Sequence, residues 1–118
     1  MTGIQELNSI SALDEALAQK SALFILKHST RCETSAEADA QFRRFAADVD
    51  PTRVRLARVL VIEHREVSRA LAERTQVRHE SPQAFRFEDG RLLWHADHWE
   101  ITRESLQAAL AVSPGEGS

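Results

Sequence analysis

The segment ALFILKHSTRCETS, residues 22–35, joins a short apolar run to a polar turn that holds the only cysteine of the chain. Its first five residues are continuously apolar, which is typical of a strand buried on both faces of a sheet. Beyond Cys32, apolar residues recur at helical spacing, at Phe42, Phe45, Ala46 and Val49. The segment therefore predicts a buried strand and then a long helix, with Cys32 at the junction between them.

Helical and extended patterns alternate on both sides of this junction. A first helix, with apolar residues at helical spacing over residues 10–17 and Ser11 near its start, precedes the buried strand. Asp50 and Pro51 end the long helix, because a residue before proline is pushed out of the helical region. A second buried strand is expected over residues 54–62.

The last part of the chain predicts a hairpin between two helices. The expected elements are a helical stripe over residues 67–71, an alternating strand over residues 84–87, a strand over residues 92–94 and a closing helix over residues 102–110. Asp89 and Gly90, between the two strands, are a strong signal for a two-residue hairpin turn.

This order of elements predicts an α/β fold. Strand–helix–strand units favour parallel pairing and the hairpin adds an antiparallel pair, so we expect one mixed central sheet with helices on both faces. The sheet has four strands, or five if residues 4–7 add an edge strand. One domain over residues 1–112 is expected, followed by a flexible tail over residues 113–118 that has little to bury.

The composition excludes several functional classes. Fifteen lysines and arginines against eighteen acidic residues give a net charge of -3, which offers no basic surface for nucleic acid. The apolar runs are far shorter than the ~18 residues that cross a bilayer. The start of the chain lacks the pattern of a secretory signal. We therefore expect a cytoplasmic protein without nucleic-acid or membrane partners.

Cys32 is predicted to be a reactive thiol. A sulfur at the first turn of a helix lies near unpaired N–H groups and the positive end of the helix dipole, which stabilise a thiolate and lower the pKa of the thiol below its ordinary value of ~8.5. Arg31 and Lys27 would add positive charge. The alternative is an inert thiol that serves as a small apolar side chain, which the polar neighbours of Cys32 disfavour.

Other residues of the same turn bear on the thiol. Ser35 can offer its hydroxyl to the sulfur, and Ser29 and Thr30 are expected to cap the helix. Glu33 acts in the opposite direction, because a carboxylate beside the sulfur disfavours a second negative charge. Arg31, Ser35 and Thr30 are the residues expected to support the thiolate.

A single cysteine restricts the chemistry that is available. The chain cannot form an internal disulfide, so a mixed disulfide on Cys32 must be resolved by an external thiol. A redox role would therefore follow a monothiol mechanism.

The segment before the third strand is the second candidate part of the site. A proline at the first residue of a strand is normally trans and sets the entry of the strand. If the Ser81–Pro82 bond is cis, the backbone beside Pro82 can face the thiol and pair with an extended substrate. His79 or Arg78 could then steer an anionic ligand, although loop charges of this kind usually only interact with solvent.

The histidines and tryptophans have less specific interpretations. His95 and His98 have the spacing of some zinc ligands, but residues three apart in a strand point to opposite faces, so no metal site is expected. Trp94 and Trp99 are expected to pack in the core or at its edge.

Four segments resemble the monothiol bacilliredoxin family, the bacillithiol-system thioredoxin-like proteins. They are HSTRCETS (residues 28–35), VRHESPQ (residues 77–83), DGRLLWH (residues 89–95) and HWEIT (residues 98–102). The resemblance implies a thioredoxin-like fold, a redox-active Cys32 and a cis Pro82 that faces it. The residues expected to bind substrate are Ser81, Pro82, His79 and Arg78.

The resemblance also implies an activity. It is removal of bacillithiol from S-bacillithiolated client proteins, with this small thiol as co-substrate and with no bound cofactor or metal. The family commonly continues Cys-Pro-Ile-Ser, whereas this chain has Glu33 and Thr34 between Cys32 and Ser35. Two other functions stay open: a non-catalytic binding or redox-sensing module, and an iron–sulfur carrier that Glu33 disfavours.

Overall fold

The computed structural model describes residues 3–112, in which five strands form one mixed sheet. The strands are β1 (Ile4–Glu6), β2 (Ala22–His28), β3 (Val54–Leu60), β4 (Gln83–Glu88) and β5 (Arg91–Asp97). Their order across the sheet is β1-β3-β2-β4-β5. The β1–β3 and β2–β3 pairs are parallel, and the β2–β4 and β4–β5 pairs are antiparallel. The predicted mixed sheet is confirmed, and the edge strand near the N-terminus brings the number of strands to five.

Four helices cover the two faces of the sheet. They are α1 (Ile10–Leu17), α2 (Glu33–Asp48), α3 (Arg65–Thr75) and α4 (Arg103–Leu110), with a short 3-10 helix at His98–Glu100 before α4. α2 packs with α4 on one face, and α1 packs with α3 on the other. Among the described residues, no helix is both long and apolar enough to pass through a bilayer.

The central strand β2 explains why the apolar run is continuous. All seven of its residues are buried, because helices cover both of its faces. Phe24 faces α2, where its ring meets the ring of Phe45 edge-on with centroids 4.8 Å apart. The next residue, Ile25, faces the other way and joins the core formed with α1 and α3. A strand with two buried faces needs no polar alternation.

Among the element boundaries that differ from the sequence prediction are those of α1, β2 and β3. The side chain of Ser9, and not of Ser11, caps α1 by accepting a hydrogen bond from the N–H of Ala12 at 3.0 Å. β2 continues through Lys27 and His28, which the apolar run alone did not include. β3 ends at Leu60, two residues before the predicted limit.

The predicted alternation in β4 is wrong, because Arg86 is buried together with its apolar neighbours. Its guanidinium donates hydrogen bonds to the carbonyl of Val112 at 2.6 Å and to the carboxylate of Glu88 at 2.5 Å. These two partners compensate for part of the loss of solvent around the charge, whereas Nε has no hydrogen-bond partner within residues 3–112.

The predicted hairpin between β4 and β5 is confirmed. Asp89 and Gly90 have φ angles of 53° and 76°, both in the left-handed region. A two-residue turn that matches the twist of the strands needs such angles, and Asp-Gly supplies them with little strain. The predicted tail, residues 113–118, lies outside the described residues.

Candidate active site around Cys32

Cys32 lies between the end of β2 and the first residue of α2. It is the N-cap residue of α2, with an extended backbone (φ -123°, ψ 129°), and its free thiol belongs to a half-buried residue. Its carbonyl accepts the first hydrogen bond of the helix, from the N–H of Ala36 at 3.0 Å. The sulfur is therefore held beside the unpaired N–H groups of the first turn.

The turn before Cys32 is held by hydrogen bonds within it. The N–H of Cys32 donates to the carbonyl of Ser29 at 3.4 Å, and the N–H of Arg31 donates to the Ser29 hydroxyl at 3.3 Å. The N–H of Ser29 donates to the hydroxyl of Ser35 in α2 at 3.2 Å. The turn and the first turn of α2 therefore form one connected unit that fixes the position of Cys32.

The pKa of the Cys32 thiol is lowered from its ordinary value. The largest cause is hydrogen bonding from the backbone N–H of Ser35, which partial burial of the sulfur opposes. The N–H of Thr34 and the hydroxyls of Ser35 and Thr34 lower the pKa further. The side chain of Cys32 makes no capping hydrogen bond of its own. Hydrogen bonds donated to the sulfur favour its ionised form, which is why they lower the pKa.

The predicted supporting residues occupy different places. Ser35 is fully buried, and its hydroxyl is one of the donors that lower the pKa of Cys32. The hydroxyl of Thr30 donates to Glu63 at 3.2 Å, so its proton goes to a carboxylate and not to the sulfur. Arg31 is exposed next to Cys32, and its effect on the thiolate stays a prediction. The expected capping by Ser29 or Thr30 is wrong, because Cys32 itself is the N-cap residue.

The Ser81–Pro82 peptide bond is cis, as the resemblance implies. Lys27 near the end of β2 pairs with Gln83 at the start of antiparallel β4. Pro82, which precedes Gln83, and the turn that leads to Cys32 therefore lie at the same end of the sheet. The carbonyl of Pro82 accepts a hydrogen bond from the N–H of His98 at 3.0 Å, which joins this segment to the 3-10 helix.

Unpaired polar atoms concentrate at this end of the sheet. His28 Nδ1, Ser81 Oγ and Gln83 Oε1 are buried and have no hydrogen-bond partner within residues 3–112. Buried polar atoms are nearly always paired in folded proteins, so three of them together are unusual. They lie at the ends of β2 and β4 that flank the cysteine turn and the cis proline.

The segment before Pro82 is anchored by Lys27, for which the sequence predicts only a nearby positive charge. Lys27 is completely buried in β2, and its ammonium lies 3.0 Å from His79 Nδ1 and 5.7 Å from the centroid of the Phe85 ring. Burial lowers the pKa of Lys27 to about 8, and the charge of Asp97 opposes that shift. Lys27 therefore holds His79 and does not reach the sulfur through a contact of its own.

His79 and Arg78 lie on the exposed side of this segment. Burial of the ring and the charge of Lys27 lower the pKa of His79, and the charge of Glu80 opposes them. The carbonyl of Arg78 accepts a hydrogen bond from Gln83 at 3.0 Å, whereas its side chain is free to face solvent. Their predicted role in ligand binding stays a prediction.

The remaining histidines and the tryptophans are spread around the same end. His98 pairs with Glu80 at 3.1 Å, and His95 is exposed on β5. In residues 3–112 no three side chains of His, Cys, Asp or Glu are placed to hold a metal ion. Trp94 packs against the core as predicted, but Trp99 is 70% exposed, so its predicted packing is wrong.

A cavity of about 410 Å³ opens beside His79, and no sequence pattern pointed to it. Its walls come from the β3–α3 connection, from one face of α3 and from the segment before Pro82. Arg65 and Arg69, four residues apart, could have been recognised as a basic stripe on a helix face. Their meeting with His79 depends on the tertiary fold.

Comparison with known proteins places this arrangement among redox proteins. The sequence model of the family described as "Monothiol bacilliredoxin BrxC" matches residues 5–106. One solved structure, described as a candidate oxidoreductase with a thioredoxin fold, is 34% identical; the alignment covers 91% of this chain and 93% of the other, with a TM-score of 0.84.

More distant structures agree on the fold alone. A thioredoxin from Malassezia sympodialis is 15% identical, with 93% of this chain and 90% of the other covered and a TM-score of 0.77. A thioredoxin from Trypanosoma brucei brucei is 13% identical, with 92% and 88% covered and a TM-score of 0.75. The thioredoxin-like fold is therefore confirmed.

Proposed function

Because the chain belongs to the monothiol bacilliredoxin family, we propose that it removes bacillithiol, or a similar low-molecular-weight thiol, from protein mixed disulfides. The observation that carries the proposal is the position of Cys32. The only thiol of the chain starts a helix whose hydrogen-bond donors lower its pKa, at the end of the sheet that also carries the cis proline. A thiolate in such a position is a nucleophile for disulfide exchange.

The first step transfers the small thiol to the enzyme. The Cys32 thiolate attacks the bacillithiol sulfur of the client's mixed disulfide. A Cys32–bacillithiol disulfide forms, the client disulfide breaks, and the client cysteine leaves as a thiolate that takes a proton from solvent. The number of disulfides is unchanged, so this step needs no oxidant or reductant.

The second step needs a thiol from outside the chain. A second molecule of the small thiol, as its thiolate, attacks the bacillithiol sulfur of the enzyme disulfide. A symmetrical bacillithiol disulfide forms and the Cys32 thiolate is released. Because this chain has one cysteine, the enzyme adduct should persist until that second thiol arrives.

The proposal also covers location and partners. We expect the reaction in a reducing cytoplasm, where a free thiol is maintained. Its partners are S-thiolated client proteins and the small thiol, and neither nucleic acid nor a membrane takes part. The acidic net charge of -3 supports the exclusion of nucleic acid.

One observation favours a second candidate, a non-catalytic thioredoxin-fold module that binds or senses through Cys32. Glu33 places an exposed carboxylate in the first turn of α2, next to the sulfur. Like charge disfavours the thiolate and would slow exchange. A module of this kind would not remove bacillithiol from a client.

Intact-mass spectrometry tests the proposal directly. The reduced protein is mixed with a bacillithiolated client protein, and both masses are followed with time. We expect bacillithiol to appear on the wild-type chain as the client loses it, and no transfer to the Cys32→Ser variant. A client that keeps its bacillithiol in the presence of the wild-type chain would contradict the proposal and favour the binding module.

A further inference from the structure

We propose that the cavity between α3 and the segment before Pro82 binds the carboxylate-bearing end of the low-molecular-weight thiol whose sulfur reacts at Cys32. The inference rests on the proposed function and specifies its substrate class: a small thiol with one or more carboxylates remote from the sulfur. The volume of about 410 Å³ is within the range that holds small molecules in proteins.

The cavity lies at the correct end of the sheet. Strands β2 and β3 are parallel, so both lead into loops at the same end. Val61, which lines the cavity, donates its N–H to the carbonyl of His28 at 3.0 Å. Cys32 follows His28 by four residues, a length of chain that spans at most about 14 Å. A molecule the size of a tripeptide can bridge a distance of that order.

The charge of the cavity selects an anion. Arg65 and Arg69 lie four residues apart on α3, so their side chains share one face of the helix. Both are exposed, and neither forms an ion pair with a carboxylate in the part of the chain that the structure describes. Two unpaired guanidinium groups are well suited to carboxylates, which they can bind through paired hydrogen bonds.

His79 and Ser68, which also line the cavity, add neutral donors. The ammonium of Lys27 can only donate, so His79 Nδ1 at 3.0 Å is assigned as the acceptor and the ring proton is on Nε2. The hydroxyl of Ser68, a buried residue, lies 3.3 Å from the same Nδ1. His79 therefore presents an N–H donor in the neutral state, supported from behind by a buried lysine.

The remaining walls suit a carbon skeleton. Val61, Ile62 and Ala72 supply apolar surface next to the basic groups. Glu80, which follows His79 in the chain, is paired with His98 at 3.1 Å. The combination of apolar wall and basic rim fits an organic acid better than a bare inorganic ion.

Binding of unreactive thioethers tests the inference independently of the redox chemistry. The ¹⁵N-labelled Cys32→Ser chain is titrated with S-methylbacillithiol, with S-methylglutathione and, as a carboxylate-free probe, with S-methylcysteamine. We expect saturable amide shifts at Ser68, Arg69 and His79 with the carboxylate probes and none with S-methylcysteamine. Whether one or both carboxylate probes bind identifies the thiol that the cavity prefers.

Arginine variants locate the carboxylate. The Arg65→Gln/Arg69→Gln double variant should bind the carboxylate probes about tenfold more weakly or worse, because charge-assisted hydrogen bonds are lost. Arg44→Gln, an exposed arginine on α2, is the matched control and should bind as before. The spectrum of each variant also reports whether the chain is folded.

Three results would overturn the inference: no shifts around α3 with either carboxylate probe, equal binding of S-methylcysteamine, or undiminished binding by the double variant. Each is distinct from failure of the proposed function, which is measured by transfer to a wild-type Cys32. A chain that transfers bacillithiol but shows no shifts around α3 would lose the inference and keep the function.

Discussion

The hydroxyl of Ser35 accepts a hydrogen bond from the backbone N–H of Ser29 at 3.2 Å, which joins the two ends of the turn that carries Cys32. This bond uses the oxygen of Ser35 as an acceptor and leaves its proton for the sulfur. One buried serine therefore both holds the turn and supports the thiolate. Of the serine and threonine hydroxyls predicted to act on the thiol, that of Ser35 therefore has the direct effect on the pKa of Cys32.

Replacement of Ser35 by alanine should raise the pKa of Cys32 without restoring it fully. The hydroxyl is lost, but the backbone N–H of Ser35, the largest cause of the lowered pKa, remains. The unpaired N–H of Ser29 should also cost about 1 kcal/mol of stability. Thiolate ultraviolet absorbance against pH measures the first effect and urea unfolding the second. Ser11→Ala, exposed on α1, is the control, and an unchanged titration midpoint in Ser35→Ala would refute the role of the hydroxyl.

The Glu33→Gln substitution should stabilise the thiolate form of Cys32 and destabilise helix α2. Removal of an exposed like charge beside the sulfur should lower the pKa of Cys32 further. The same change removes a favourable interaction with the N-terminus of α2 and should cost about 0.5 kcal/mol of stability. Thiolate ultraviolet absorbance against pH measures the change in pKa and urea unfolding measures the change in stability. Glu37→Gln, in the next turn of α2, is the control. A higher pKa in Glu33→Gln would show that the carboxylate supports the thiol in another way.

Lys27→Met should change how stability depends on pH. The folded-state pKa of Lys27 is about 8, below the ordinary 10.5, so the unfolded chain holds more protons between these values. Stability of the wild type should therefore rise with pH from about 8 to 10.5, by at most about 3 kcal/mol, and Lys27→Met should lack that rise. Urea unfolding at several pH values measures it.

The other lysine of the chain provides the control for this prediction. Lys20 is exposed, so Lys20→Met should keep the rise in stability above pH 8. If the stability of Lys27→Met and that of Lys20→Met depend on pH in the same way, burial does not lower the pKa of Lys27.

Gly90→Ala should destabilise the hairpin by about 1–2 kcal/mol. Gly90 has a φ of 76°, and an added Cβ would lie 3.0 Å from the carbonyl oxygen of Leu17. A Cβ added at Gly3 has no atom within 4 Å, so Gly3→Ala should leave the midpoint of thermal unfolding nearly unchanged. Equal midpoints for the two variants would mean that the turn tolerates a side chain.

Local signals accounted for most of the fold. The apolar run of β2, the stripe of α2 and the Asp89-Gly90 turn each depend on residues close in sequence, which is why they could be predicted. The boundaries failed where nearby residues compete for one role. Ser29 and Thr30 are of a type that caps helices, but the N-cap position belongs to Cys32, whose backbone is extended and whose carbonyl accepts from the N–H of Ala36.

The polar parts of the site could be predicted less well, because they depend on distant partners. Lys27 follows an apolar run and looks like the residue that ends a strand. Its burial depends on His79, which is 52 residues away in sequence. The exposure of Trp99 and the cavity beside α3 likewise depend on where the 3-10 helix and the segment before Pro82 pack. Local periodicity contains no information about such contacts.

The central claim is that Cys32 is ionised and accessible at the start of α2, and its alkylation rate against pH tests this most directly. The wild-type chain, followed by mass spectrometry with iodoacetamide, should reach half of its maximal rate at a lower pH than the same chain unfolded in urea. A folded chain whose midpoint equals or exceeds that of the unfolded chain, or whose thiol does not react at any pH, would contradict the account.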